Sequence, residues 1–189
     1  MRALFRQADF LLQAFQAAER NRLPVIIITG AIGQGKTTYA KKLCQKLKKR
    51  QLPLDGFFAE GLDNECGQRM GFRLISLNQE PICRLMHDVT RPGFLSLGRY
   101  YADPVCFDKG NEFLLSVMNK TEPHLVLIDE LGPLELGGRG WSKTVEALLS
   151  SGRHIMVWIV RRPLLEKIVR RYQSAGAYVF DLDCDKDIS

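Results

Sequence analysis

No apolar stretch in this 189-residue chain approaches the roughly 20 consecutive residues that a membrane helix requires; runs such as Val25–Ile28 and Ile155–Val160 are far shorter. No membrane association is therefore expected. The five cysteines (Cys44, Cys66, Cys83, Cys106 and Cys184) are odd in number and form no CxxC or Cys/His pair at metal spacing, which predicts reduced thiols in a cytoplasmic protein. His87, His124 and His154 stand alone, without a cysteine or carboxylate at ligand spacing, so no zinc site is expected. No secretion signal is expected either. In the opening MRALFRQADFLLQAFQAAER, Asp9 and Gln13 interrupt an apolar segment that is already too short. Leu4, Ala8, Leu11, Leu12, Phe15 and Ala18 fall near one face of a helix, which predicts an extra amphipathic helix over residues 1–22.

Acidic residues are scarce at the start. Residues 1–52 hold eleven basic side chains against only Asp9 and Glu19, so this part carries +9 of a net +6, and the rest sums to −3. A second basic stretch spans 153–171, with six Lys and Arg against Glu166. Such charge serves a polyanion, a small anionic ligand or solubility. With 46% hydrophobic and 25% charged residues, disorder is excluded. At this length folding buries roughly 70% of the unfolded surface, so one domain over residues 1–189 needs no disulfide or metal staple.

Val25–Thr29 is a β-branched run without polar alternation, the signature of a strand covered on both faces. Glycines follow, and Lys36–Arg50 then repeats apolar residues at helical spacing. Residues 53–104 change to short extended pieces with turn residues between them, predicting a β-hairpin and meander inserted into the α/β pattern. Further on, helices are expected at 105–119, 141–151 and 163–174, and strands at 124–130, 154–160 and 177–181. This alternation implies a mainly parallel sheet flanked by helices.

The most specific signal is Gly30-Ala31-Ile32-Gly33-Gln34-Gly35-Lys36-Thr37, followed by Thr38: a full GxxxxGK[ST] phosphate loop between an expected strand and an expected helix. Its glycines let successive N–H groups converge, and the helix N-terminus adds positive potential. Lys36 is expected on the β- and γ-phosphates, and Thr37 on Mg²⁺. Asp129 ends the second buried strand, at the edge of the sheet where the loop opens, and is the expected second Mg²⁺ residue. Glu130, next to it, is placed to orient and deprotonate an attacking water. Asp129–Gly132 also fits the DxxG of GTPases, but Asn119-Lys120-Thr121-Glu122, an approximate guanine-reading motif, precedes it where it should follow.

These residues resemble the small P-loop nucleoside-triphosphatase family, of the thermophilic and cancer-related type. Gly30–Thr38, Gly56-Phe57 with Glu60, Arg69-Met70-Gly71-Phe72, Gly98-Arg99-Tyr100 and Ile128–Glu135 occur in the family's order across residues 25–182. The resemblance implies a RecA-like P-loop core and Mg²⁺-dependent hydrolysis of several nucleoside 5′-triphosphates to diphosphate and phosphate. It also implies phosphate and metal roles for Lys36 and Thr37, and metal and water-activating roles for Asp129 and Glu130. The chain departs from the family in three places. Ala31-Ile32 replaces a proline-containing start of the loop, the N-terminal helix is extra, and Asp183-Cys184-Asp185 stands where the family has an asparagine-arginine pair.

Arg161 and Arg162, at the carboxyl end of an expected strand, are candidates for neutralising charge on the transferred phosphoryl group, with Arg69 as a second possibility. Glu60 and Glu135 are expected to be structural, and Trp141 a buried helix anchor. Two rival functions share the motif. A nucleotide or nucleoside kinase would use the same loop to phosphorylate a small acceptor. A nucleotide-dependent, nucleic-acid-associated module would use the basic first quarter, which lacks interleaved aromatics, so nucleic acid is not the expected partner. No sequence feature specifies an oligomeric state.

Overall fold

The structure, a computed structural model, describes residues 25–174 and 176–184. The amphipathic helix expected over 1–22 lies outside the described residues. At the centre are three strands that run apolar because both of their faces are covered: β1 (Val25–Gly30), β7 (Leu125–Leu131) and β8 (Ile155–Arg161). Successive side chains of a strand point to opposite faces. Val126, Ile128, Met156, Trp158 and Val160 pack in one hydrophobic cluster with residues of α2 (Pro104–Met118), α4 (Ser142–Ser151) and α5 (Leu165–Arg171). Ile26, Ile28, Leu127, Val157 and Ile159 pack in the other, with Ala40, Leu43 and Leu47 of α1 (Lys36–Lys49). A four-residue helix, α3 (Pro133–Leu136), follows β7.

Together with β2 (Leu54–Asp63) and β9 (Tyr178–Asp181), these strands run parallel in the order β2-β7-β8-β1-β9. The expected meander is present as β3 (Arg69–Ser76), β4 (Pro81–His87), β5 (Leu95–Leu97) and β6 (Tyr100–Ala102), but it is not set apart. It continues the same nine-stranded sheet in the order β5-β6-β4-β3-β2, with antiparallel pairing. β2 joins the two regions. Leu54–Phe57 pair parallel with β7, and Phe57–Asp63 pair antiparallel with β3. Gly56 makes the parallel contact possible: at φ 117° a Cβ there would lie 1.9 Å from the Leu127 carbonyl oxygen.

Two local features depart from the sequence reading. The helix expected at 163–174 is a 3₁₀ turn, Arg162–Leu164, followed by the shorter α5. The expectation of five reduced thiols is corrected as well. Cys83 of β4 and Cys106 in the first turn of α2 form a disulfide with a Cα separation of 5.6 Å, leaving Cys44 buried and Cys66 and Cys184 exposed as thiols. The two half-cystines are 23 residues apart and match no spacing motif, so only the packing of α2 against β4 brings them together. The turn into α2 is set by Asp103, whose carboxylate accepts the Val105 N–H at 3.0 Å, and by Pro104 at the first helical position.

Candidate active site

The strand-to-helix turn after β1 forms the loop expected from the sequence. Gly33 (φ 81°) and Gly35 (φ 77°) adopt left-handed backbone that other residues rarely enter, and Gly35 is the N-cap of α1. The first N–H groups of an α-helix have no intrahelical acceptor. At α1 they belong to Lys36, Thr37 and Thr38, and no acidic residue lies in that turn. Free N–H groups at a helix N-terminus are suited to an anion. The Lys36 ammonium is largely buried and donates to the carbonyls of Ala31 at 2.8 Å and Gly30 at 3.2 Å, folded back along the loop. Ile32 stands exposed at the loop's tip, and the Gln34 N–H closes on the Ala31 carbonyl.

Asp129 is fully buried near the carboxyl end of β7, which runs on to Leu131. Its Oδ2 accepts the Thr37 hydroxyl at 2.9 Å and the Ala59 N–H of β2 at 3.1 Å, joining α1, β7 and β2 at one atom. Its Oδ1 is buried without a hydrogen-bond partner. Burial and the neighbouring Glu130 push the Asp129 carboxyl up to about 7, against the lowering effect of those bonds. The hydroxyl of Thr37 and the unsatisfied Oδ1 are hard oxygen donors of the kind Mg²⁺ takes one or two at a time from protein. Among the described residues, no group of three His, Cys, Asp or Glu is assembled to hold a metal ion.

Glu130 departs from strand geometry. Its φ is 64°, and the β7–β8 register shifts between Ile128, opposite Trp158, and Leu131, opposite Val160. This bulge re-aims the side chain. Arg161, the last residue of β8, pairs in register with Gly30 of β1 on one side. On the other side its guanidinium meets Glu130 Oε2 through Nε at 3.1 Å and Nη2 at 2.9 Å. Arg162 takes a different course. It bonds Asp181 and lies 3.5 Å from Asp183 Oδ2, which also accepts the Ala31 N–H at 2.9 Å. Arg162 thus ties the segment after β9 to the start of the loop and is not joined to Glu130.

The remaining candidates have structural partners. Arg69 bonds Asp63 and lies over the Phe72 ring. Glu60 bridges Lys41 at 2.7 Å and Arg73 at 2.6 Å. Glu135 accepts the N–H groups of Gly132 at 2.8 Å and Trp141 at 3.2 Å, pinning the turn around α3, and burial pushes its carboxyl up to about 7. Trp141 is buried between Phe57 and Phe107, the anchor expected of it.

The histidines are less isolated than their spacing suggests. His124 Nδ1 lies 2.5 Å from Asp55, which Lys120 also binds, and the His124 N–H reaches His154 at 3.3 Å. Asp55 and His154 sit at the amino ends of β2 and β8, at the opposite end of the sheet from the loop. Lys120 is therefore remote from the phosphate loop, which removes it from guanine reading. Two site elements had no motif of their own: the Ala59 amide, a backbone group, and Asp183, marked in the sequence only by standing where the family has an asparagine-arginine pair. The Gly56-Phe57…Glu60 stretch was the only pointer toward Ala59.

A family model described as NTPase matches residues 25–186. A nucleoside-triphosphatase THEP1 from Thermotoga sp. (strain RQ2) is 33% identical over 149 residues, covering 77% of this chain and 80% of that protein. One from Archaeoglobus fulgidus is 33% identical over 163 residues, covering 82% and 88%. The solution structure of a human cancer-related nucleoside triphosphatase superposes with a TM-score of 0.68 at 27% identity, covering 84% of this chain and 88% of that one. A phosphate loop facing a buried strand-end aspartate, in a chain matched over nearly all of its described length, leads to one assignment: this chain belongs to the NTPase family, the small P-loop nucleoside-triphosphatases.

Proposed function

We propose that this protein hydrolyses nucleoside 5′-triphosphates to diphosphate and phosphate with Mg²⁺, with Glu130 as the group that prepares the water. The observation that carries this reading is the Thr37–Asp129 hydrogen bond at the start of α1, in which Asp129 is fully buried with its Oδ1 left unsatisfied. The loop amides from Gly33 to Thr38 and the Lys36 ammonium bind the β- and γ-phosphates, Lys36 exchanging the Gly30 and Ala31 carbonyls for phosphate oxygens. Thr37 and Asp129 are the residues that would hold Mg²⁺, which neutralises charge on the phosphate oxygens when bound. Glu130 accepts a proton from water as its oxygen bonds to the γ-phosphorus, and the β–γ bridging oxygen leaves with the diphosphate.

Tolerance of several bases is part of the reading, as the resemblance to the nucleoside-triphosphatase family implies. The cytoplasm, where nucleoside triphosphates are supplied, is the proposed location. The adjacency of Glu130 to Asp129 supports reading it as the group that serves a water, and the relatives described above are named nucleoside-triphosphatases; both favour hydrolysis over transfer to an acceptor.

Phosphate release across the common triphosphates, with and without Mg²⁺ and with nucleosides and nucleotides as acceptors, tests the proposal. Release from several triphosphates, abolished by chelation, is expected. Because a general base contributes about 10²- to 10⁴-fold, Glu130→Gln should lower kcat by that order while nucleotide still binds. Lys36→Ala should lose binding itself. Full turnover in Glu130→Gln, or phosphate appearing only on an added acceptor, would overturn the assignment.

A further inference from the structure

We propose that Arg161 is a positioning residue that acts on the reaction through Glu130 alone, holding that carboxylate in place for the attacking water rather than contacting the transferred phosphoryl group. The proposal rests on the reading of Glu130 as the water-activating residue.

Three observations point the same way. First, Glu130 has a left-handed backbone at φ 64° inside a register shift of the ladder, a conformation that persists only where its surroundings determine it. The bulge turns the side chain out of the strand's alternation and leaves it partly exposed. Second, Arg161 supplies the missing constraint. Both of its guanidinium contacts fall on Oε2, at 3.1 and 2.9 Å, which fixes one oxygen and leaves Oε1 as the one available to a water. Third, Arg161 is the in-register neighbour of Gly30, the first residue of the phosphate loop. One side chain therefore relates the loop that holds the phosphates to the group that prepares the nucleophile. The pair is partly exposed, with side-chain exposures of 42% and 30%, and a pair so exposed adds little to stability. Its value lies in orientation, because a displacement of the order of an ångström at a reacting group costs about 10²-fold in rate.

A double-mutant cycle on kcat and KM in the full chain, with MgATP as substrate, separates this role from the others. Arg161→Ala should lower kcat by about 10- to 10²-fold with KM nearly unchanged, the pattern of lost orientation rather than lost binding. Arg161→Lys should recover part of the rate, since an ammonium can reach one oxygen but lacks the two-pronged grip. In a Glu130→Gln background, where the proton acceptor is gone, Arg161→Ala should have no further effect. An equal loss of kcat from Arg161→Ala in both backgrounds would show that the guanidinium acts on the phosphoryl group and overturn the proposal. Wild-type turnover in Arg161→Ala, with Glu130→Gln impaired, would overturn it while sparing the function of Glu130. Full turnover in Glu130→Gln would overturn both.

Discussion

Glu60 shows how a single side chain can be conspicuous in a sequence and yet have a structural use. It lies one residue beyond the Ala59 amide that binds Asp129, but its carboxylate is taken up by Lys41 of α1 and Arg73 of β3. Hydrogen bonds from those two cations hold its carboxyl below the ordinary glutamate value of 4.5. For a depressed carboxyl, the stability gained is present above the unfolded-state value and is lost as pH falls through the folded-state one. Glu60→Gln should therefore have a lower Tm than the parent at neutral pH, and the gap should close as pH drops below 4.5. A gap independent of pH, measured by thermal unfolding across that range, would mean that the charge contributes nothing. At this scale the motif residues were the most legible. Lys36, Thr37 and Asp129 stand where the pattern requires, because phosphate chemistry dictates both their type and their spacing. Arg161 and Arg162 are adjacent in sequence yet serve different partners, Glu130 and Asp181. Side-chain direction at the end of a strand depends on the neighbouring strands, which the sequence does not display.

The packing of whole elements turns on a contact between α2 and the loop before α4. Gly110 of α2 faces the Trp141 ring, and a Cβ there would lie 2.6 Å from the indole nitrogen. In a free helix, replacing glycine by alanine gains about 1 kcal/mol of helix propensity. Here the methyl group would drive α2 away from an indole wedged against Phe57 and Phe107, and overpacking of that kind costs about 1–3 kcal/mol. Gly110→Ala should be less stable than the parent in urea unfolding, with an unchanged slope; a stabilised variant would refute the packing argument. Long elements were readable because their pattern repeats: β1, β7 and β8 as apolar runs, α1 and α2 by helical spacing. The three-residue β5 and four-residue α3 have no room for a period and were not foreseen. The double role of β2 escaped for another reason: its two ends pair with strands on opposite sides and in opposite senses.

Across the molecule, the nine-stranded sheet brings together groups far apart in the chain, and the cysteines give a direct measure of this. Cys83 and Cys106 are joined, Cys66 and Cys184 are exposed, and Cys44 lies on the buried face of α1 with its thiol pushed up to about 12 by burial. A thiol reagent at pH 8 should therefore titrate two cysteines in the native protein, three after denaturation without reductant, and all five after reduction. Five reactive thiols in denatured, unreduced protein would mean that the bond between β4 and α2 is open. The basic first quarter also acquires partners at this scale. Lys41 binds Glu60, and Lys48 caps the Leu77 carbonyl at 2.6 Å and Asn78 at 2.8 Å, so both help fasten α1 to β2 and the turn after β3. The sequence by itself determined the layered α/β architecture, the phosphate loop and the strand-end Asp129, because strand burial and phosphate binding each impose a local pattern of residue types. Only the tertiary structure decided that β2 lends its Ala59 amide to Asp129, that Cys83 meets Cys106, and that Arg161 rather than Arg162 grips Glu130. Those contacts depend on strand order, register and a bulge, which arise from pairing between distant segments and leave no mark on any one of them.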